Sequence, residues 1–305
     1  MPTITTYYGI TDPVPFIDVD VSADNRLFVD PHAIRLRGGP QPFADQAVEC
    51  LDSFTDEVTA SVFSPAPATR SRGKQLLQRF IEPWETRLGM SSSGFRGHGG
   101  ADDVGDWIWE ALTGNIEALV HVGILKHVED LPLFVEGIDR DITSDITTRL
   151  IFDPLARFTE EMLANYPQFT ASGHGTVDCH RQVWSPVIRD WTDVKMTLPI
   201  ANGEPLMLVP QGWARRNLLM NSRRYYETSV LSYAQMEQAV RMSDGKLLTM
   251  AKDLLKKQPE LARGRSTNTR VTLRALDNDA DLLATFKAFV ASKLTKPVGE
   301  GDTAA

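Results

Sequence analysis

Val194-Lys-Met-Thr-Leu-Pro-Ile200-Ala201-Asn202-Gly203-Glu204-Pro205-Leu-Met-Leu-Val209 is the stretch on which the fold class turns. Asn202-Gly203 stands between two apolar runs, Val194–Ile200 and Pro205–Val209. Asn and Gly accept positive φ at both central positions of a two-residue turn, and such turns match the twist of paired antiparallel strands. The stretch therefore predicts a β-hairpin. Working outward, residues 14–21 alternate, with Ile17, Val19 and Val21 on one face and Asp18 and Asp20 on the other, which predicts a strand. Leu27–Val29, Leu131–Val135 and Arg270–Leu276 read as further short strands. Helical stripes lie between them. Residues 42–62 carry Phe43, Ala47, Leu51, Phe54 and Val58 on one side. Residues 74–82 stop at Pro83, and 101–126 break at Gly114. A helix from about Ile146 restarts at Asp153-Pro154. Helices at 228–241 and 245–257 follow, and a last one, capped by Asp277 or Asn278, runs through Leu294. Residues 64–73, 91–100 and 136–144 read as loops. The expectation is an α+β fold: a mixed or antiparallel sheet flanked by helices, with one clear hairpin, in a single domain over 1–296. Residues 297–305 are expected to be a disordered tail.

The chain has 305 residues, 42% hydrophobic and 24% charged. That is ordinary for a globular protein and rules out collagen-like, disordered and disulfide-scaffold classes. Two cysteines, Cys50 and Cys179, do not make a disulfide framework. No signal-peptide pattern and no run of about 18 apolar residues is present, so a cytoplasmic protein is expected. Net charge is −8, unevenly spread. Residues 1–165 hold 13 basic and 26 acidic residues, whereas residues 211–296 hold 16 and 8. A basic back half hints at an anionic partner, unless its cations pair with the acidic front half.

Ser91–Gly100 is rich in glycine and serine and runs into Ala101–Trp109. Gly94, Gly97, Gly99 and Gly100 let successive N–H groups converge on an anion, Arg96 adds a planar fork for phosphate, and His98 can move a proton near neutral pH. The loop is neither a Walker loop nor a dinucleotide fingerprint. Asp102 and Asp103 could instead satisfy the amides of the helix that follows.

Glu136, Asp139, Asp141 and Asp145 fall within ten residues. Such clustering is tolerated if a hard divalent cation, Mg2+ or Mn2+, sits among the carboxylates and activates water against a phosphoryl group. The spacing matches no twelve-residue calcium loop, and no acid-x-Lys pattern of restriction nucleases follows. The other reading is that Asp141 or Ser144 caps a helix and Asp145 complements its dipole.

Leu27-Phe-Val-Asp-Pro31, the Ser92–Gly100 loop, and Gly137-Ile138-Asp139 with Ser144-Asp145 and Thr147-Thr148 together resemble a family of uncharacterised bacterial proteins, as does Asn202–Pro210. The likeness covers roughly residues 10–215 and implies no chemistry. Asp18, Asp20 and Asp30 are candidate additional ligands, though surface placement is the plainer reading. His174, Asp178, Cys179 and His180 match no structural zinc spacing. Arg215-Arg216 and Arg223-Arg224-Tyr225-Tyr226 pair cations with rings, the pattern that neutralises phosphates and stacks on bases.

The leading expectation is a metal-dependent phosphodiester hydrolase, a nuclease acting on a polynucleotide. In it, His98, Asp139 and Asp145 are catalytic, and Glu136, Asp139, Asp141 and Asp145 hold the metal. The glycine loop takes phosphate, and Arg215, Arg216, Arg223 and Arg224 take nucleic acid. The alternative is a non-catalytic nucleotide- or nucleic-acid-binding subunit of a multi-protein system. A structural partner protein or homo-oligomer is the third.

Overall fold

The computed structural model describes residues 2–80, 83–89, 101–114, 123 and 125–294. The glycine loop with Gly94, Arg96, Gly97, His98, Gly99 and Gly100, and the tail at 297–305, lie outside the described residues. The fold is α+β. Its elements are α1 (Ile4–Tyr8), β1 (Phe28–Val29), α2 (Pro31–Arg37), α3 (Phe43–Phe63), α4 (Pro67–Leu77), α5 (Ala101–Leu112), α6 (Leu131–Phe134), α7 (Arg140–Leu150) and α8 (Phe152–Asn165). There follow β2 (Thr176–Ser185), β3 (Asp190–Ala201), β4 (Glu204–Pro205), β5 (Ala214–Arg215), α9 (Ser222–Tyr225) and a π turn over Tyr226–Val230. The chain ends with α10 (Leu231–Glu237), β6 (Val240–Arg241), β7 (Leu247–Leu248), α11 (Lys252–Leu255), α12 (Arg265–Leu276) and α13 (Leu282–Leu294).

The Asn-Gly turn forms as expected: Asn202 has φ 53° and Gly203 φ 79°. Its second arm is short, because β4 pairs with β3 only at Ile200–Pro205 and Ala201–Glu204. Pro205 has no N–H to extend the ladder. Beyond it, Leu206, Met207 and Leu208 are buried, and Met207 N–H donates to Glu85 O and Leu208 N–H to Thr159 Oγ1. The long partner of β3 is β2, antiparallel from Thr176↔Pro199 to Ser185↔Asp190. The pair buries Val183, Trp184, Met196 and Leu198 and packs on α3 and α8. Trp184 Nε1–H donates to Ser53 Oγ at 2.9 Å, and its ring meets Phe54 edge to face.

Four expected strands or loops are corrected. Residues 14–21 bury Phe16, Val19 and Val21 but make only isolated bridges, Thr3↔Asp20 and Phe16↔Pro210. Leu131–Phe134 is a helical turn led by Pro132, since a five-residue apolar run has no period of its own. Arg270–Leu276 belongs to helix α12, whose buried face mixes Thr267, Asn268 and Thr272 with Val271 and Ala275, hiding the apolar stripe. Residues 67–73 are the first turns of α4, with Pro67 at its start. Helix α7 begins at Arg140 and not near Ile146, and residues 240–248 form a small hairpin where helix was expected. The last helix is capped by Asp281, whose Oδ1 accepts from Ala284 N–H at 2.8 Å. Among the described residues no helix is long and apolar enough to cross a membrane.

Candidate functional site

The acidic loop joins α6 to α7, and its carboxylates diverge. Glu136 Oε1 accepts the backbone N–H of Arg265 at 3.0 Å, and Oε2 lies 3.4 Å from that guanidinium. The same arginine also donates to Pro132 O and Ile138 O. Asp139 is the N-cap of α7, accepting from Asp141 N–H at 3.0 Å and Ile142 N–H at 3.2 Å. Asp141 is half-buried and Asp145 buried one turn further in. No group of three or more His, Cys, Asp or Glu side chains suited to an ion occurs among the described residues. The structure thus does not bring Glu136, Asp139, Asp141 and Asp145 together into a cage. Two of the four terminate helices, and the capping residue of α7 is Asp139, not Asp141 or Ser144. Asp18 and Asp30 act likewise: Asp18 receives Thr5 N–H and Oγ1–H, and Asp30 caps α2.

A crowd of arginines assembles beside this loop. Strands β1 and β5 pair Phe28 with Arg215 and Val29 with Ala214. Buried Asp30 accepts Leu219 N–H at 2.7 Å and faces Arg215 Nε at 3.9 Å, fixing the 213–219 segment against α2. Arg37, at the end of α2, lies over Gly212; a Cβ there would stand 2.4 Å from its Nε, and Gly212 also has φ +83°. Arg140 sits over the Phe28 ring at 4.7 Å and donates to Arg216 O and Asn217 Oδ1 at 3.3 and 3.1 Å. Arg224 covers the ring of Phe289. Burial holds Arg215 below the ordinary arginine range; Asp30 opposes that shift, and repulsion from Arg37 and Arg224 adds to it. Arg215 therefore feels the charges of Arg37 and Arg224, and Arg140 from the acidic half reaches the 216–217 segment beside it. Arg223 is paired with Glu227 at 3.4 Å.

The neighbouring tyrosines have another task. Tyr225 and Tyr226 are buried, with their hydroxyls on Thr272 Oγ1 (2.7 Å) and Leu261 O (2.6 Å), so neither ring can stack on a base. The two charge halves also partly neutralise each other, through Glu136–Arg265 and Asp130–Lys287 at 2.7 Å.

Sequence reasoning missed one buried ionic cluster. Glu129 Oε1 accepts from Arg35 Nε at 2.9 Å and lies 3.3 Å from His32 Nδ1. Arg35 holds Asp52 with both terminal nitrogens. His127 Nδ1 accepts from Lys287 Nζ at 3.0 Å. Burial acts to raise the Glu129 carboxyl, but the His32 contact and the charges of Arg35, His127 and Lys287 overcome it and hold the group well below the usual range. The tandem acids Glu129-Asp130 just before an apolar run were the available signal. The cluster ties α2, α3 and α13 together. A cleft of about 750 Å3 also opens between α5 and α12, where Trp107 meets Glu136, Arg270 and Arg274. Its charges are mixed, which suits no one ligand class.

No curated protein and no solved structure matches this chain. A family model described as a domain of unknown function (DUF8370) matches residues 10–221. That span contains β1 to β5, the acidic loop and most of the arginine crowd. The chain belongs to this family of proteins that share a domain of unknown function, DUF8370.

Proposed function

We propose that this protein is a cytoplasmic, non-catalytic nucleic-acid-binding subunit. It holds a phosphate backbone on the face formed by Arg37, Arg140, Arg215, Arg216 and Arg224. The observation that carries this reading is the geometry around β5: Arg215 stands 3.9 Å from buried Asp30, Arg37 lies over Gly212, and Arg140 reaches Arg216 O and Asn217 Oδ1. Like charges crowded in this way cost free energy that a polyanion relieves. A hydrolase reading asks Glu136, Asp139, Asp141 and Asp145 to hold Mg2+ or Mn2+. Two of those carboxylates already serve helix ends, which favours binding over cleavage.

The test is titration of fluorescent single- and double-stranded DNA and RNA across a salt series, with Mg2+ or Mn2+ in parallel cleavage assays. Binding that weakens steeply with salt and leaves the strands intact supports the proposal. Metal-dependent cleavage lost in Asp145→Asn would replace it with the hydrolase.

A further inference from the structure

Helix α7 carries a second cationic group at its other end. Arg149 lies nine residues beyond Arg140, about 14 Å along the helix axis. It is only 4% exposed. Its guanidinium lies over the rings of Trp191 and Phe152, at 5.1 and 5.8 Å from their centroids. Nε–H donates to Arg79 O at 3.1 Å. Neither terminal nitrogen donates to any described residue, and no carboxylate forms an ion pair with Arg149 among them. Those nitrogens are not sealed in the core either, since they are not among the buried atoms left without a partner. Arg149 lines a cleft of about 340 Å3 together with Trp84, Glu85, Phe152, His180 and Arg181.

Glu85 is the carboxylate expected to answer this charge, but its Oε1 is taken by Arg181 Nε at 2.8 Å. Burial lowers Arg149 to about 10, with Arg181 and Arg79 adding to the shift against Glu85, so it stays cationic at neutral pH. A buried guanidinium whose fork is unused carries a desolvation cost that a planar oxyanion would offset through two parallel N–H bonds. Trp84, 40% exposed, supplies an aromatic wall at the cleft.

We propose that this cleft binds a small organic oxyanion, a phosphate monoester or a carboxylate, whose head group docks on the Arg149 fork and whose apolar part lies against Trp84. The site is separate from the arginine face and does not depend on the nucleic-acid reading.

The full-length protein is titrated calorimetrically with inorganic phosphate, phenyl phosphate and benzoate. Saturable binding of at least one probe is expected, and the comparison of phenyl phosphate with benzoate identifies the preferred head group. Arg149→Lys keeps the charge but loses the fork, and weakens that probe about tenfold or more. Trp84→Ala, at a half-exposed position, weakens phenyl phosphate or benzoate without affecting inorganic phosphate. It keeps the test alive should the lysine variant fold poorly. Nucleic-acid affinity stays unchanged in both variants. Absence of saturable binding by all three probes, or equal binding in wild type and Arg149→Lys, overturns the proposal.

Discussion

The carboxylate of Glu136 closes the amino-terminal end of α12, accepting the N–H of Arg265 at 3.0 Å while its second oxygen meets the same residue's guanidinium. A residue of the acidic front half thus completes a helix of the basic back half. Helix starts expose unpaired N–H donors and a partial positive charge, and a carboxylate satisfies both.

Removing this cap or the equivalent one on α7 is expected to destabilise the fold modestly. Glu136→Ala and Asp139→Ala should each cost about 1 kcal/mol, read from urea unfolding midpoints. Adding Mg2+ or Mn2+ should leave the thermal midpoint of the wild type where it was. A rise that Asp139→Ala abolishes would put an ion in the loop after all.

The arginine face makes a prediction about salt. Arg216→Gln and Arg224→Gln should each reduce the slope of log affinity against log salt by about one unit. Tyr225→Phe, which removes the hydroxyl from Thr272, should cost about 1 kcal/mol of stability and leave binding intact. Loss of binding in the phenylalanine variant would place the Tyr225 hydroxyl at the interface.

Acid should loosen the junction of α2, α3 and α13. Glu129 is held ionised by His32, Arg35, His127 and Lys287 despite its burial. An acid whose folded pKa is depressed stabilises the fold above its unfolded value of about 4.3, and that contribution drains away as pH falls below it. Glu129→Gln should therefore flatten the acid limb of a stability–pH profile. It should also cost about 3–5 kcal/mol at neutral pH, because Arg35 keeps its buried place with a partner lost. An unchanged acid limb would show that other carboxylates govern it.

The turn at Asn202-Gly203 offers a backbone test. Gly203 has φ +79° and no heavy atom within 4 Å of a built Cβ, so Gly203→Ala meets conformational strain and no clash. A loss of about 1 kcal/mol is expected by chemical unfolding. Gly212→Ala differs, since its new methyl would displace Arg37, and it should also weaken nucleic acid.

Asp139 shows how much of the candidate site was legible. Capping was one reading of the acidic loop, but the residues alone assigned it to Asp141 or Ser144 and started the helix near Ile146, whereas Asp139 caps a helix that begins at Arg140. The partner of Glu136, by contrast, is 129 residues away. Nothing local marks Arg149 as distinctive, because its isolation follows from Phe152, Trp191 and the pairing of Glu85 with Arg181. Tyr225 and Tyr226 misled for the same reason: two rings beside two arginines look like an interface until burial is known.

What the sequence by itself determined was local: the Asn-Gly turn, the amphipathic stripe of α3, the final helix, and the α+β class. These depend on backbone preferences and on periodicities spanning one or two turns. Only the tertiary structure decided that β3 pairs backward with β2, that the acidic loop finishes two helices, and that arginines from both charge halves converge around Arg215. Those outcomes rest on contacts between segments far apart in the chain. There the partner that satisfies a buried charge or an unpaired N–H is chosen by packing, which no local pattern encodes.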